Sequence, residues 1–152
     1  MRININNPKR LTKIIENLTG ELLNEPIKGI TTDSRDCRPG DLYVALKGTR
    51  SDGHRYLDDI AKKNASAALI SEFDVSQKHK IHQIVVKDTK TTLGLIANKW
   101  RKNFNIPIIA ITGSNGKTST KDLLNHVFSE KYNVHATKGN YNTSIGLPLS
   151  LL

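Results

Sequence analysis

The stretch from Ile108 to Thr120 limits what this chain can fold into more than any other. Ile108-Ile109-Ala110-Ile111 is an apolar run, mostly β-branched, and predicts a buried parallel strand. Thr112-Gly113-Ser114-Asn115-Gly116-Lys117-Thr118-Ser119-Thr120 follows at once. Then Leu123, Leu124, Val127 and Phe128 place apolar residues on one face of a helix. Strand, Gly-rich turn and helix in that order make a phosphate cradle. Glycines let the backbone approach an anion, and the positive end of the helix dipole lies behind them. The full pattern G-x-x-x-x-G-K-[ST] fails, because its first glycine falls on Ile111; the compact T-G-S-N-G-K-T-S form remains. On this reading Gly113, Ser114, Asn115, Gly116, Lys117, Thr118 and Ser119 hold the nucleotide phosphates. Lys117 supplies a mobile positive charge, and Thr118 offers its hydroxyl to Mg²⁺. A plain Gly-rich turn explains the glycines but not a helix that opens on Lys117-Thr118-Ser119-Thr120.

The rest of the chain reads as alternating short strands and helices. Asn7-Pro8 is a helix start, Leu11, Ile14, Ile15 and Leu18 form its stripe, and Gly20 stops it. Ile27 to Thr32, Leu42 to Leu46, Ala67 to Ile70 and Gln83 to Val86 predict strands. Tyr56, Leu57, Ile60 and Ala61 predict a helix of about three turns. Asp88 or Thr89 caps the next helix, along which Leu93, Ile96, Ala97, Trp100 and Phe104 form one continuous stripe and read as core. Asn105-Ile106-Pro107 ends it. Asn133 to Thr137 predicts a second parallel strand, followed by a polar loop at its C-terminal end, where open α/β sheets bind ligands.

The fold class is therefore α/β. A small N-terminal α/β domain spans residues 1–87, and 88–106 form a connecting helix. Residues 107–152 begin a parallel-sheet phosphate-loop domain. Ile145 to Leu152 starts another apolar element and the sequence stops inside it. A chain does not ordinarily end within an apolar segment, so an N-terminal piece of a longer protein is expected.

Composition excludes several classes. Across 152 residues there is one cysteine, Cys37, so no internal disulfide is possible and a reducing compartment is expected. No apolar run reaches the length of a membrane span, and Met1 to Ile5 carries no signal-peptide core; a cytoplasmic protein is expected. A net charge of +9, from 23 Lys+Arg against 14 Asp+Glu, invites a nucleic-acid reading. The lysines are scattered, however, and aromatics are only 5%, so no basic stripe carries stacking residues. An anionic nucleotide and substrate would use the same positive field. His79-Lys80-Ile81-His82 comes nearest to a metal motif, but it lies in a lysine-rich connector and reads as a solvated loop rather than a metal site.

Three blocks resemble the Mur ligases, the ATP-dependent amide ligases that build the peptidoglycan stem peptide. Thr112 to Ser119 is similar to their ATP loop. Thr32-Asp33-Ser34-Arg35, Pro39 to Gly48 and Asp52-Gly53-His54 resemble the UDP-binding N-terminal domain of the members that add the third residue and the terminal D-alanyl-D-alanine. Lys138-Gly139-Asn140-Tyr141-Asn142-Thr143-Ser144-Ile145-Gly146-Leu147-Pro148 is similar to the G-N-x-N-N-x-I-G-x-P block of the D-alanyl-D-alanine-adding members, departing from it at Thr143. The resemblance implies UDP-MurNAc-tripeptide and D-alanyl-D-alanine as substrates, ATP and Mg²⁺ as cofactors, and an acyl-phosphate intermediate. It implies Lys117 as the catalytic cation and a monomer with no nucleic-acid partner. Ser34, Arg35, Gly48, Asp52, Gly53, His54, Asn140 and Asn142 would bind substrate. The carbamylated lysine, the acidic Mg²⁺ ligand and the C-terminal domain of the family would lie beyond Leu152, so this piece alone is expected not to turn over. The enzyme adding the third residue, another ATP-loop amide ligase and a basic nucleic-acid-binding module remain as alternatives.

Overall fold

The computed structural model describes residues 2–49, 51–78, 80–137 and 143–152. Strand β1 (Arg2–Asn4) leads into helix α1 (Pro8–Thr19). The helix starts as its sequence dictates: Asn7 Oδ1 accepts the Arg10 N–H at 3.2 Å, and Pro8 takes the first helical position. It ends at Gly20, whose φ of 77° only glycine adopts at little cost. Strands β2 (Gly29–Thr31), β3 (Asp41–Val44), β4 (Ala67–Ile70) and β5 (His82–Val85) follow, with α2 (Leu57–Lys62) before β4 and α3 (Thr89–Arg101) after β5. The five strands stand in the order β1-β2-β3-β4-β5. β1 is antiparallel to β2, and the other three pairs are parallel.

Period-two alternation sends the strand side chains to two cores. Ile30, Leu42, Val44, Ala67, Leu69 and Ile84 face one side, where Leu11 and Ile15 of α1 and Leu93, Ile96 and Trp100 of α3 cover them. Tyr43, Ala45, Ala68 and Ile70 face the other, against Leu57 and Ile60 of α2 with Cys37 and Ile81. The result is a helix–sheet–helix sandwich. Each fully buried Leu or Ile contributes about 1.5–3 kcal/mol, so the core dominates its stability. Trp100 is core, as its stripe predicts. Phe104 lies just beyond the helix, 39% exposed, with its ring edge-on to Trp100 at 5.6 Å.

Helix α4 (Lys117–Ser129) and helix α5 (Gly146–Leu151) complete the described elements. Leu149 of α5 is buried in the core that α3 covers, and Thr143 Oγ1 accepts the Gly146 N–H at 2.9 Å at the start of that helix. α4 buries none of its residues; Leu123 and Val127 are more than half exposed.

The expected strand at Ile108 to Thr112 is corrected: these residues form no strand, and Ile108 and Ile109 are 54% and 57% exposed. The expected strand at Asn133 to Thr137 is likewise absent. A strand exists only where a neighbour takes its N–H and C=O groups, and no described residue pairs with either segment. Local β preference without a partner makes no strand. The predicted helix at Tyr56 is shorter than three turns, because its first residues form a 3-10 turn, Gly53–Tyr56. The short strand β1 carries too little periodicity to be read from the sequence. Among the described residues no helix is long and apolar enough to cross a membrane.

Candidate functional site

The carboxyl ends of β2 and β3 open onto a cleft of about 520 Å³. Ligands bind at this edge in open α/β sheets. Beyond β2, Asp33 caps a 3-10 turn, Ser34–Asp36, by accepting the Arg35 N–H at 3.0 Å. The Arg35 guanidinium grips the same carboxylate, with Nη2 to Oδ2 at 2.6 Å and Nε to Oδ1 at 2.9 Å. These side-chain and backbone hydrogen bonds from Arg35 hold the Asp33 carboxyl well below the usual carboxylate range. The Arg35 side chain is still 87% exposed, so its outward donors meet solvent at the cleft rim.

Beyond β3, the chain returns on itself so that Lys47 bridges Asp52. Tyr43 is buried, its hydroxyl donates to Gly53 O at 3.0 Å, and burial raises its phenol above the ordinary value. Gly53 must be glycine: an added Cβ would lie 2.8 Å from Leu46 N and 3.0 Å from Tyr43 Oη. Gly48 donates its N–H to Ser51 O at 2.9 Å and also faces the cleft.

Of the predicted substrate residues, the fold brings Ser34, Arg35, Gly48 and Gly53 to this one cleft. Asp52 and His54 support it from outside. Asp52 Oδ1 accepts the His54 N–H at 3.0 Å and meets His54 Nδ1 at 2.6 Å; these bonds lower the Asp52 pKa. His54 Nε2 accepts the Ser71 N–H at 2.9 Å, so Nδ1 carries the ring hydrogen and donates it to Asp52. The imidazole thereby ties the loop to the residue after β4. Asn140 and Asn142 lie outside the described residues. Tyr43 and Tyr56 also line the cleft and were not among the predicted ligands. Period two flags Tyr43 as facing one side of the strand but does not say which side meets the ligand edge.

The second element of the site is the loop before α4. Gly113 and Gly116 have φ of 147° and 75°, both in the region that favours glycine. Gly116 is the N-cap of α4, and no side chain caps that end. The first intrahelical bond runs from Thr120 N to Gly116 O at 2.9 Å. The N–H groups of Lys117, Thr118 and Ser119 therefore precede the helical ladder and point out of the helix end. Lys117 folds back over the loop, its Nζ donating to Gly113 O and, at 3.3 Å, to Ser114 O. Ser114, Asn115, Thr118 and Ser119 are exposed. An uncapped helix end behind two left-handed glycines, with an ammonium over it, fits a polyphosphate. Of the strand, turn and helix expected from the sequence, the turn and the helix are present and the strand is not. Among the described residues no group of three or more His, Cys, Asp or Glu could hold a metal ion.

A family model described as "Mur ligase family, catalytic domain" matches residues 26–101, and "Mur ligase middle domain" matches 111–152. A Synechocystis protein named UDP-N-acetylmuramoyl-tripeptide–D-alanyl-D-alanine ligase is 41% identical over 126 residues, covering 83% of this chain and 28% of its own length. The crystal structure of MurF from Acinetobacter baumannii superposes with a TM-score of 0.84 at 31% identity, over 92% of this chain and 32% of that one. MurF ligase from Thermotoga maritima in complex with ADP gives 0.73 at 36%, over 80% and 28%. The chain spans about a third of the length of the curated relatives it matches. With the family's own sequence pattern across half its length, this chain belongs to the Mur ligase family.

Proposed function

We propose that the protein to which this chain belongs joins D-alanyl-D-alanine to UDP-MurNAc-tripeptide at the expense of ATP. One observation carries the reading. A cleft holding Ser34, Arg35, Gly48 and Gly53 at a sheet's ligand edge shares a chain with an uncapped, lysine-covered glycine loop. The relatives named for that reaction support the choice of substrates, and the ADP complex of a structural neighbour supports the nucleotide.

In this reading residues 1–87 bind the UDP end of the substrate, 88–106 connect, and 107–152 begin the ATP-binding part. Arg35 meets the anionic end of the sugar nucleotide, and Ser34, Gly48 and Gly53 shape its seat. Asp52 and His54 hold that seat in place. The backbone N–H groups from Gly113 to Ser119 take the phosphate oxygens. Lys117 leaves its loop carbonyls and stabilises charge on the phosphoryl group in transit, which needs positioning and charge neutralisation rather than a protein nucleophile. ATP with Mg²⁺ supplies the phosphoryl group that activates the substrate carboxylate, and Thr118 is the residue here that would face the ion. Asn140 and Asn142 also bind substrate in this reading. The protein works in the cytoplasm as a monomer, without membrane insertion or a nucleic-acid partner.

The test is phosphate release by the full-length protein. Release that requires UDP-MurNAc-tripeptide and D-alanyl-D-alanine together supports the reading. Release with a dipeptide precursor and a free amino acid instead would assign the third-residue reaction.

A further inference from the structure

We propose that Lys63, which lies outside the cleft lining, is a positioning residue for the UDP end of the substrate; the inference rests on the function proposed above. The turn Ser34–Asp36 is a single 3-10 turn, and the backbone serves its Ser34 carbonyl weakly: Cys37 N reaches Ser34 O only at 3.4 Å. Lys63 Nζ completes it, donating to Ser34 O at 2.7 Å and to Arg35 O at 2.9 Å. These two bonds join residues 29 and 28 positions apart in the chain.

The lysine is itself held. It follows α2, with its N–H on Ala61 O. The next residue, Asn64, has φ of 57° and turns the chain toward β4, its N–H also on Ala61 O at 3.0 Å. The ammonium sits at the carbonyl end of the turn, held there by its two hydrogen bonds. Asp33 grips Arg35 from the opposite end of the same turn. With its carbonyls bound behind and its arginine gripped in front, the turn presents Ser34 and Arg35 to the cleft in one arrangement. Such preorganisation spares an anionic ligand the cost of ordering its own site.

The experiment uses the full-length protein with Lys63→Met, which keeps the stem and removes the donors, and Lys63→Arg. KM for UDP-MurNAc-tripeptide should rise about tenfold in Lys63→Met, the scale of losing a charge-assisted hydrogen bond, while kcat and the KM for ATP stay within about twofold. Lys63→Arg, whose fork can serve two carbonyls, should return that KM to within about threefold of wild type. Hydrogen exchange at the Arg35, Asp36 and Cys37 amides should quicken in Lys63→Met and not in Lys63→Arg. An unchanged KM for the UDP substrate, or a parallel loss in all three constants, would overturn the assignment. Wild-type protein with no affinity for UDP-MurNAc-tripeptide would overturn the underlying function as well, which separates the two failures.

Discussion

Arg2 reaches across β2 to grip Asp41 with two hydrogen bonds, Nε to Oδ2 at 2.7 Å and Nη2 to Oδ1 at 2.9 Å. The carboxylate is fully buried and also accepts the Arg38 N–H at 2.9 Å. The pair crosses over Gly29, where an added Cβ would lie 2.5 Å from Asp41 Oδ1 and 2.9 Å from Ile3 O. An ion pair thus fastens the antiparallel strand β1 to the parallel part of the sheet, and glycine leaves the path clear. Arg2→Met should cost about 3–5 kcal/mol, because it leaves a buried carboxylate without its cation. Gly29→Ala should also destabilise, since the backbone carbonyl of Ile3 cannot swing aside. Urea unfolding of each variant, read as a fall in midpoint at constant slope, checks both.

Cys37 is buried, and burial pushes its thiol up to about 11, with the charge of Asp41 adding to the effect. The neutral thiol is the form the fold favours. Its contribution to stability is therefore fully present below the ordinary value of 9.0 and is lost as pH rises from there toward 11. Labelling by a disulfide reagent at pH 8 should be slow in native protein and fast after unfolding in urea. Equal rates in the two states would contradict the burial.

Arg35→Ala in the full-length protein should weaken UDP-MurNAc-tripeptide binding by roughly ten- to a hundredfold, the worth of a hydrogen bond to a charged group. ATP affinity should stay nearly constant. The variant also frees Asp33, so Asp33→Asn is the companion: it loosens the turn while keeping the arginine, and should lose less affinity. Calorimetric titration of both ligands into both variants decides whether Arg35 touches substrate or only orders its turn.

Lys117→Ala should leave the thermal midpoint within about a degree or two, because its partners are two carbonyls of an exposed loop. Ligation should fall by roughly two to three orders of magnitude, the scale for removing one donor aimed at developing charge. ATP affinity should fall less, since the N–H groups of the loop remain. A variant within threefold of wild-type turnover would remove Lys117 from the reaction.

Much of this molecule was determined by its sequence alone, wherever the physics is local. Asn7-Pro8 and Gly20 delimit α1 because cap, fixed φ and left-handed glycine act within a few residues. Leu93, Ile96 and Trp100 declare their buried face through helical spacing. Gly113, Gly116 and Lys117 declare a turn and a helix start, because a positive φ and an uncapped helix end are properties of neighbouring residues. Tertiary structure decided whatever depends on partners distant in sequence. Ile108 to Thr112 has strand chemistry, but no described residue pairs with it, so it forms no strand. Asp52 and His54 look like ligands in a motif, yet His54 is engaged by Ser71, a residue 17 positions away. Lys63 is one lysine among many until α2 and the turn after β2 come together. Arg2, Gly29 and Asp41 acquire their meaning only when three strands lie side by side, because an ion pair over a glycine is a property of their register and not of any one segment.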